Sequence, residues 1–381
     1  MSGMRIAIDY TPAALQGAGI GRYTRGLVEA LLPLLGNEDL LALLYPREDA
    51  RFGRASWPEQ VRVRRLLLPD RHQTILWHRL RAPLPVEWWT GDVDIFHAPN
   101  FLLPPVRRAK TLLTIHDLAF LVRPQYAFPD LRRFLERAVP RAIARADHIL
   151  ADSEASRQDA IRLFGLEPDQ VTVVGAGVEP HFRPLPRTAT EAVRAKYGLD
   201  WPFALSVSTI EPRKNFDGLV RAFAQARRES GFPHHLVIAG GKGWLYEPVF
   251  QAVEEEHAGD FVHFLGFVPD ADLPALYNLA DLFVFPSHYE GFGLPVLEAL
   301  ACGVATLCTD TSSLPEIAGD AAMLVPTDDH DALIAGLIHL LEDAQARAEL
   351  ARRGPSRAAR FTWDAAARKL WEAYRMLAGG L

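Results

Sequence analysis

Asp281-Leu282-Phe283-Val284-Phe285-Pro286 and, three residues on, Glu290-Gly291-Phe292-Gly293-Leu294-Pro295-Val296-Leu297-Glu298 form the stretch from which the rest of the chain is read. The apolar run is too short for a helix and is closed by Asp281 and Pro286, so it reads as a buried strand of a parallel sheet. Glu290 then lies in the loop after the strand's carboxyl end, where open α/β sheets bind ligands, and Glu298 on the helix that follows. Gly291 and Gly293 permit a close backbone approach that a Cβ would block, and backbone N–H groups at a helix start favour an anion such as a diphosphate. An ionised carboxylate only accepts hydrogen bonds, which suits Glu298 to two ribose hydroxyls and Glu290 to sugar hydroxyls. A nucleotide-sugar fits both. The plain alternative is a loop glutamate and an exposed helix glutamate, since charged residues are mostly exposed.

Working outward, the same alternation of short apolar strands and helical sequence runs through the chain. Ile6–Asp9, Leu40–Tyr45, Ile95–His97, Thr111–Ile115 and His148–Ala151 are expected strands of one parallel sheet. Phe203–Ser208, His235–Ala239, Val262–Leu265, Leu282–Phe285 and Ala305–Cys308 are expected strands of a second. A Pro- and Gly-rich stretch, Gly175 to Thr190, reads as the linker. The expected architecture is α/β: two Rossmann-like, doubly wound domains facing across a cleft, residues 1–185 and 186–362. A last helix, about Trp363 to Leu377 and capped by Thr362 or Asp364, returns to the first domain, which thereby gains 363–381.

Chemistry-bearing residues gather at strand ends. Glu211-Pro212-Arg213-Lys214-Asn215 follows a strand and precedes a helix. There a guanidinium can grip two phosphate oxygens and an ammonium can add a compact charge, as a departing nucleoside diphosphate requires. A solubility cluster at the helix start is the alternative, although cations there oppose the macrodipole. Thr114-Ile115-His116-Asp117 delivers His116 to the same kind of edge, for a sugar hydroxyl, an acceptor, or a purely structural bond. Gly17 to Gly21 could bring backbone N–H groups to a phosphate, but its spacing is an incomplete dinucleotide fingerprint, which disfavours a nicotinamide dehydrogenase. Asp92/Asp94 and Asp270/Asp272 read as turn and cap positions rather than as metal ligands, and no metal is assigned. Cys302 and Cys308 lack companions at zinc-ligand spacing and read as buried thiols.

The 381 residues are 49% hydrophobic and 23% charged, ordinary for a globular chain. No apolar run nears the roughly 18 residues that span a bilayer, and no signal peptide is recognisable, so a cytoplasmic location is expected. The net charge of −6 hides an asymmetry: 25 of the 41 Lys and Arg but only 21 of the 47 Asp and Glu fall in residues 1–190, making that part +4 and the remainder −10. Within the basic part, Arg62 to Pro69 and Arg71 to Arg81, with Trp88 and Trp89, suit peripheral contact with an anionic inner membrane face, or else form a solvated strand edge and helix. Overall acidity and the lack of a binding motif exclude nucleic acid as a partner.

Taken in order, Gly17–Gly21, the His116-Asp117 strand end, Ser208-Thr209-Ile210-Glu211-Pro212-Arg213-Lys214-Asn215, Gly266-Phe267-Val268, and two glutamates flanking seven residues at Glu290 and Glu298 resemble the retaining family 4 glycosyltransferases of the GT-B type. The resemblance covers nearly the whole chain. It implies that Arg213 and Lys214 hold the donor diphosphate, that Glu290 with Gly291, Phe292, Gly293 and Leu294 holds the donor sugar, and that Glu298 holds the ribose. It places Ser208, Gly19 and Gly21 among the donor-binding positions and makes His116 catalytic through the donor sugar or the acceptor. Also implied are metal-independent, front-face transfer with no cofactor beyond the nucleotide-sugar, and a likeness to mannosyl- and rhamnosyl-type members of polysaccharide and O-antigen synthesis. On that likeness the donor is GDP-mannose and the acceptor a saccharide or lipid-linked saccharide. The alternatives are a nucleotide-sugar epimerase or hydrolase on the same fold, and a non-catalytic nucleotide-sugar-binding protein.

Overall fold

The computed structural model describes residues 3–48, 50–52 and 56–379. Positions 1, 2, 49, 53–55, 380 and 381, which the expected domain ranges include, lie outside the described residues. The chain divides into two compact units, the first comprising Met1–Leu121, Asp130–Gly177 and Thr362–Leu381, the second Val122–Pro129 and Val178–Phe361.

The first unit holds a seven-stranded sheet in the order β3-β2-β1-β4-β5-β6-β7. Its strands are β1 Arg5–Asp9, β2 Leu40–Tyr45, β3 Val61–Arg65, β4 Ile95–Ala98, β5 Lys110–Ile115, β6 His148–Ala151 and β7 Val171–Val173. The second unit holds six, β10-β9-β8-β11-β12-β13: β8 Phe203–Val207, β9 His235–Ala239, β10 Val262–Gly266, β11 Leu282–Phe285, β12 Thr306–Thr309 and β13 Met323–Val325. Every ladder is parallel. Helices therefore cover both faces, and central strands such as β4, β6, β11 and β12 are buried at every residue. In each sheet the winding reverses between the first and fourth strands, so the loops leaving β1 and β4, and those leaving β8 and β11, diverge and open a crevice.

Packing follows the apolar stripes. Helix Phe216–Ser230 turns Phe216, Leu219, Val220 and Phe223 inward against Leu236 and Ile238 of β9 and against Leu333, Ile334 and Leu337 of helix His330–Glu342. Burying each leucine completely contributes on the order of 1.5–3 kcal/mol. At the sheet's edge, β3 buries only Val61 and exposes Arg62, Val63, Arg64 and Arg65, the solvated strand edge that the basic stretch allowed. Arginines on an edge strand discourage pairing with another chain.

Helix Trp363–Leu377 belongs to the first unit, as the returning last helix should. Its N-cap is Thr362, whose hydroxyl accepts from Ala365 N at 3.1 Å, and its buried face is Ala366, Ala367, Leu370, Ala373 and Tyr374. The Tyr374 hydroxyl meets His97 Nδ1 of β4 at 2.8 Å, while His97 Nε2 meets Thr114 Oγ1 of β5 at 2.8 Å. Burial pushes His97 down to about 3, so its ring stays neutral and serves both partners. Asp272 departs from its expected capping role. Its carboxylate makes no cap bond and instead accepts from Lys196 Nζ at 2.5 Å and Tyr197 Oη at 2.8 Å, because a partner with a formal charge is available on the adjacent helix Arg187–Tyr197. Cys302 and Cys308 are free and buried, and burial lifts each thiol to about 12. Among the described residues no helix is long and apolar enough to cross a membrane.

Candidate active site

The crevice of the second unit is furnished by two loops. After β8, Ser208 N bonds Ala239 O and Ile210 N bonds Gly241 O, laying the loop along the one that leaves β9. Gly240, at φ 152°, is required there, since a Cβ would collide with the Ser208 carbonyl. A 3-10 turn, Pro212–Lys214, follows, and Asn215 at φ 57° redirects the chain into helix Phe216–Ser230. The turn throws Arg213 and Lys214 toward the loop that leaves β11.

There they meet Glu290. Lys214 Nζ donates to Glu290 Oε1 at 2.5 Å, and Arg213 Nη1 donates to Glu290 Oε2 at 3.0 Å and to the Tyr289 carbonyl at 2.7 Å. Arg213 Nη2 also donates to Glu211 Oε1 at 2.7 Å, so two cations face two carboxylates. Lys214 is 8% exposed and Glu290 6%. Buried charges survive only when paired. Burial alone would raise the Glu290 carboxyl, but Arg213 and Lys214 outweigh it and hold the group at about 2. The Lys214 ammonium is pulled below its usual range, first by burial and then by Arg213 beside it. The cluster's net worth is therefore smaller than the Glu290 shift alone implies.

Hydroxyls outside the sequence motifs fix the loop. Ser287 Oγ donates to Glu290 Oε1 at 2.6 Å, Thr309 Oγ1 to the Ser287 carbonyl at 2.6 Å, and Ser313 Oγ to the Phe292 carbonyl at 2.7 Å, while Ser312 Oγ accepts from Glu290 N at 2.8 Å. The run Thr309-Asp310-Thr311-Ser312-Ser313 at the end of β12 is the one signal of them that the sequence carries. Among the described residues, Oε1 of Glu290 accepts from Lys214 and Ser287 and Oε2 from Arg213 alone, which leaves one acceptor position on Oε2.

Gly293, at φ 106°, precedes helix Leu294–Ala301, and a Cβ there would press on Leu314. Phe292 is buried with its ring edge-on to Phe361 at 6.0 Å, and Gly291 is buried beside it. Glu298 is 1% exposed, and its Oε2 accepts from Tyr277 Oη at 2.9 Å. Neither glutamate is the exposed residue of the plain alternative.

His116 lies in the first unit at the end of β5. Its Nδ1 pairs with Asp152 at 2.7 Å and its Nε2 with the Pro99 carbonyl at 2.7 Å, so both ring nitrogens are engaged. Burial opposes a charge on this ring, yet Asp152 and the Pro99 carbonyl raise its pKa. Gly19 and Gly21 open helix Gly19–Leu31 in the same unit. Gly21 is a packing requirement, because a Cβ would strike the Gln16 and Pro12 carbonyls, whereas the space at Gly19 is open. Among the described residues no group of three or more His, Cys, Asp or Glu is arranged to hold a metal ion.

Two family descriptions match the chain: Glycosyltransferase Family 4 over residues 17–182 and Glycosyl transferases group 1 over residues 190–357. The chain is 34% identical to the O-antigen chain mannosyltransferase B of Escherichia coli, across 98% of this chain and 100% of that one. Among solved structures, sucrose-phosphate synthase of Thermosynechococcus elongatus superposes with a TM-score of 0.78 at 23% identity, covering 99% of this chain and 100% of that one. Anabaena HepE, solved in complex with UDP and glucose, superposes at 0.72 with 18% identity over 97% and 99%. These two establish likeness of fold, and the fold they share is the pair of parallel-sheet units described above.

Proposed function

This chain belongs to glycosyltransferase family 4 and is a glycosyltransferase, and from that premise we propose that it moves mannose from GDP-mannose to a saccharide or lipid-linked acceptor in O-antigen-type polysaccharide synthesis, with retention of configuration and without a metal ion. The observation that carries the site assignment is the convergence of Arg213 and Lys214 from one loop on Glu290 from another, at the point where the second sheet reverses its winding. The diphosphate lies against Arg213 and Lys214, cations already oriented by Glu211 and Glu290, so little ordering remains when it binds. Glu290, ionised at neutral pH, accepts a sugar hydroxyl at its remaining Oε2 position. Glu298 takes the ribose after exchanging its Tyr277 bond.

In the reaction, the acceptor hydroxyl attacks the anomeric carbon on the face from which the diphosphate departs. The bond from carbon to the diphosphate oxygen breaks with its electron pair on that oxygen, which then takes the acceptor's proton. A carboxylate held at about 2 is no proton donor at neutral pH, which supports leaving that proton to the diphosphate. His116 contacts the donor sugar or acceptor by exchanging its Pro99 carbonyl bond for a hydroxyl. The two unpaired thiols suit a reducing cytoplasmic location, and peripheral contact with the inner membrane face through the basic unit accompanies it.

The test is a panel of labelled GDP-, UDP- and ADP-sugars, each with and without a mannose-containing oligosaccharide. Nucleoside diphosphate released from GDP-mannose only when acceptor is present, with label on the acceptor, is the expected result. Release or epimerisation without acceptor would instead favour the hydrolase or epimerase.

A further inference from the structure

The first unit contains a groove of about 750 Å³ walled by Arg79 and Arg81 on one side and by Arg133, Arg137 and Arg141 on the other. The last three stand at positions i, i+4 and i+8 of helix Pro129–Ile143 and so form a row roughly 12 Å long. Asp130 is the one carboxylate in the lining, and it pairs with Arg133 at 2.5 Å. Arg79 lies over the Phe134 ring at 5.6 Å, and Arg81, Arg137 and Arg141 have no carboxylate partner among the described residues. The neighbouring His78 adds no charge, because burial, aided by Arg145, pushes it down to about 4.

Like charges four residues apart on a helix destabilise it, and a second cationic wall facing them adds to the repulsion. An ordinary solvated surface intersperses the two signs, whereas here five guanidiniums close on one concavity with a single acid. What relieves that repulsion is an anion of two or more charges. All five cations are arginine, whose planar fork matches phosphate oxygens in pairs. A volume within the roughly 300–1,000 Å³ of ligand sites is far more than one inorganic ion fills, so the phosphate is carried on a larger molecule. Leu80, 70% exposed between Arg79 and Arg81, gives that molecule an apolar neighbour. The chain leading into the groove is a π-helical turn, Ile75–Arg79, followed by Arg81 at φ 57°, a conformation that non-glycine residues seldom adopt.

We propose that this five-arginine groove is a second anion site, binding a phosphate or diphosphate group borne on a larger molecule, distinct from the donor cluster in the other unit and independent of the sugar-transfer reading; where the bearer is a lipid, the groove and not the solvated β3 edge is where the basic unit meets the membrane. A lipid headgroup and a soluble phosphorylated saccharide share this chemistry. With GDP in excess to occupy the donor cluster, the full chain is titrated calorimetrically with inorganic pyrophosphate and, in a parallel arm, co-sedimented with phosphatidylglycerol vesicles against phosphatidylcholine vesicles. The variants are Arg137→Glu/Arg141→Glu, the milder Arg137→Gln/Arg141→Gln, and Arg62→Glu/Arg64→Glu, which makes the same charge change on the β3 edge. Melting curves verify that each is folded. At least a tenfold loss in either arm for both groove variants, with the β3 variant within threefold of wild type, is expected. A loss confined to the pyrophosphate arm identifies a soluble ligand, and one seen with vesicles identifies a lipid. Equal losses in the β3 variant, or no loss in the groove variants, would overturn the proposal, as would failure of wild type to bind either probe.

Discussion

Replacing Glu290 by glutamine keeps the shape of the side chain and removes the negative charge between the buried Lys214 and the partly buried Arg213. The consequence can be worked from the carboxyl itself. Held at about 2 against an ordinary 4.5, it contributes about 3 kcal/mol at neutral pH, at 1.36 kcal/mol per unit. The loss has a ceiling. Lys214 can shed its proton when deprived of Glu290, and neutralising a lysine of ordinary pKa about 10.4 at pH 7 requires roughly 5 kcal/mol at most. Arg213 keeps Glu211. A loss of about 3 kcal/mol lowers the melting temperature of a unit this size by roughly 6–12 °C. Sign and window follow from the same shifts. A depressed carboxyl stabilises fully above 4.5 and stops doing so as pH falls toward 2, so the gap between wild type and Glu290→Gln is widest near pH 6–7 and closes below 4.5. Toward pH 9 the gap also narrows, because neutralising Lys214 becomes easier. Differential scanning calorimetry from pH 3 to 9 measures this. A melting temperature unchanged within about 1 °C at pH 7, or a gap as wide at pH 3 as at pH 7, would refute the reasoning.

Three further outcomes are expected. Ser287→Ala removes the hydroxyl that donates to Glu290 Oε1, which lowers stability by about 1 kcal/mol in denaturant titration and slows transfer, since the carboxylate can then swing toward Lys214. Tyr374→Phe leaves one nitrogen of the buried His97 without its partner, and urea unfolding should register a loss of about 1–3 kcal/mol in the first unit. Gly21→Ala must displace the Gln16 or Pro12 carbonyl and should destabilise by several kcal/mol, whereas Gly19→Ala meets open space and should be neutral or raise the melting temperature. A Gly19→Ala enzyme that melts normally but transfers poorly would give Gly19 its expected donor-binding role.

Much of this architecture is legible in the sequence because parallel strands buried on both faces must be short apolar runs. Leu40–Tyr45, His148–Ala151 and Leu282–Phe285 match their expected limits. The three-residue strands β7 and β13 are not legible, since runs that short carry no periodicity. At the site, the sequence puts Arg213, Lys214 and Glu290 each after a strand's carboxyl end. That β8 and β11 are neighbours is a property of strand order, which no local pattern encodes. The same reason hides the roles of Ser287, Thr309, Ser312 and Ser313, since the isolated Ser287 and the hydroxyl-rich run Thr309 to Ser313 matter only once the loops after β11 and β12 lie together. Glu290 reads from its sequence position as open to sugar hydroxyls. Its ion pairs follow from burial, which the sequence leaves undetermined. The assignment of Val122–Pro129 to the second unit likewise depends on distant contacts: Tyr126 stacks on His288 at 4.4 Å, and Arg123 pairs with Asp328 at 3.4 Å.

The central claim is that Arg213 and Lys214 hold the donor's diphosphate. Calorimetric titration of GDP, with guanosine as the phosphate-free control, into wild type, Arg213→Ala and Lys214→Ala tests it most directly. Removing either charged side chain is expected to weaken GDP binding by roughly 10- to 150-fold, from about 1.5–3 kcal/mol, and to leave guanosine unchanged. GDP bound equally well by folded variants of both residues would contradict the account.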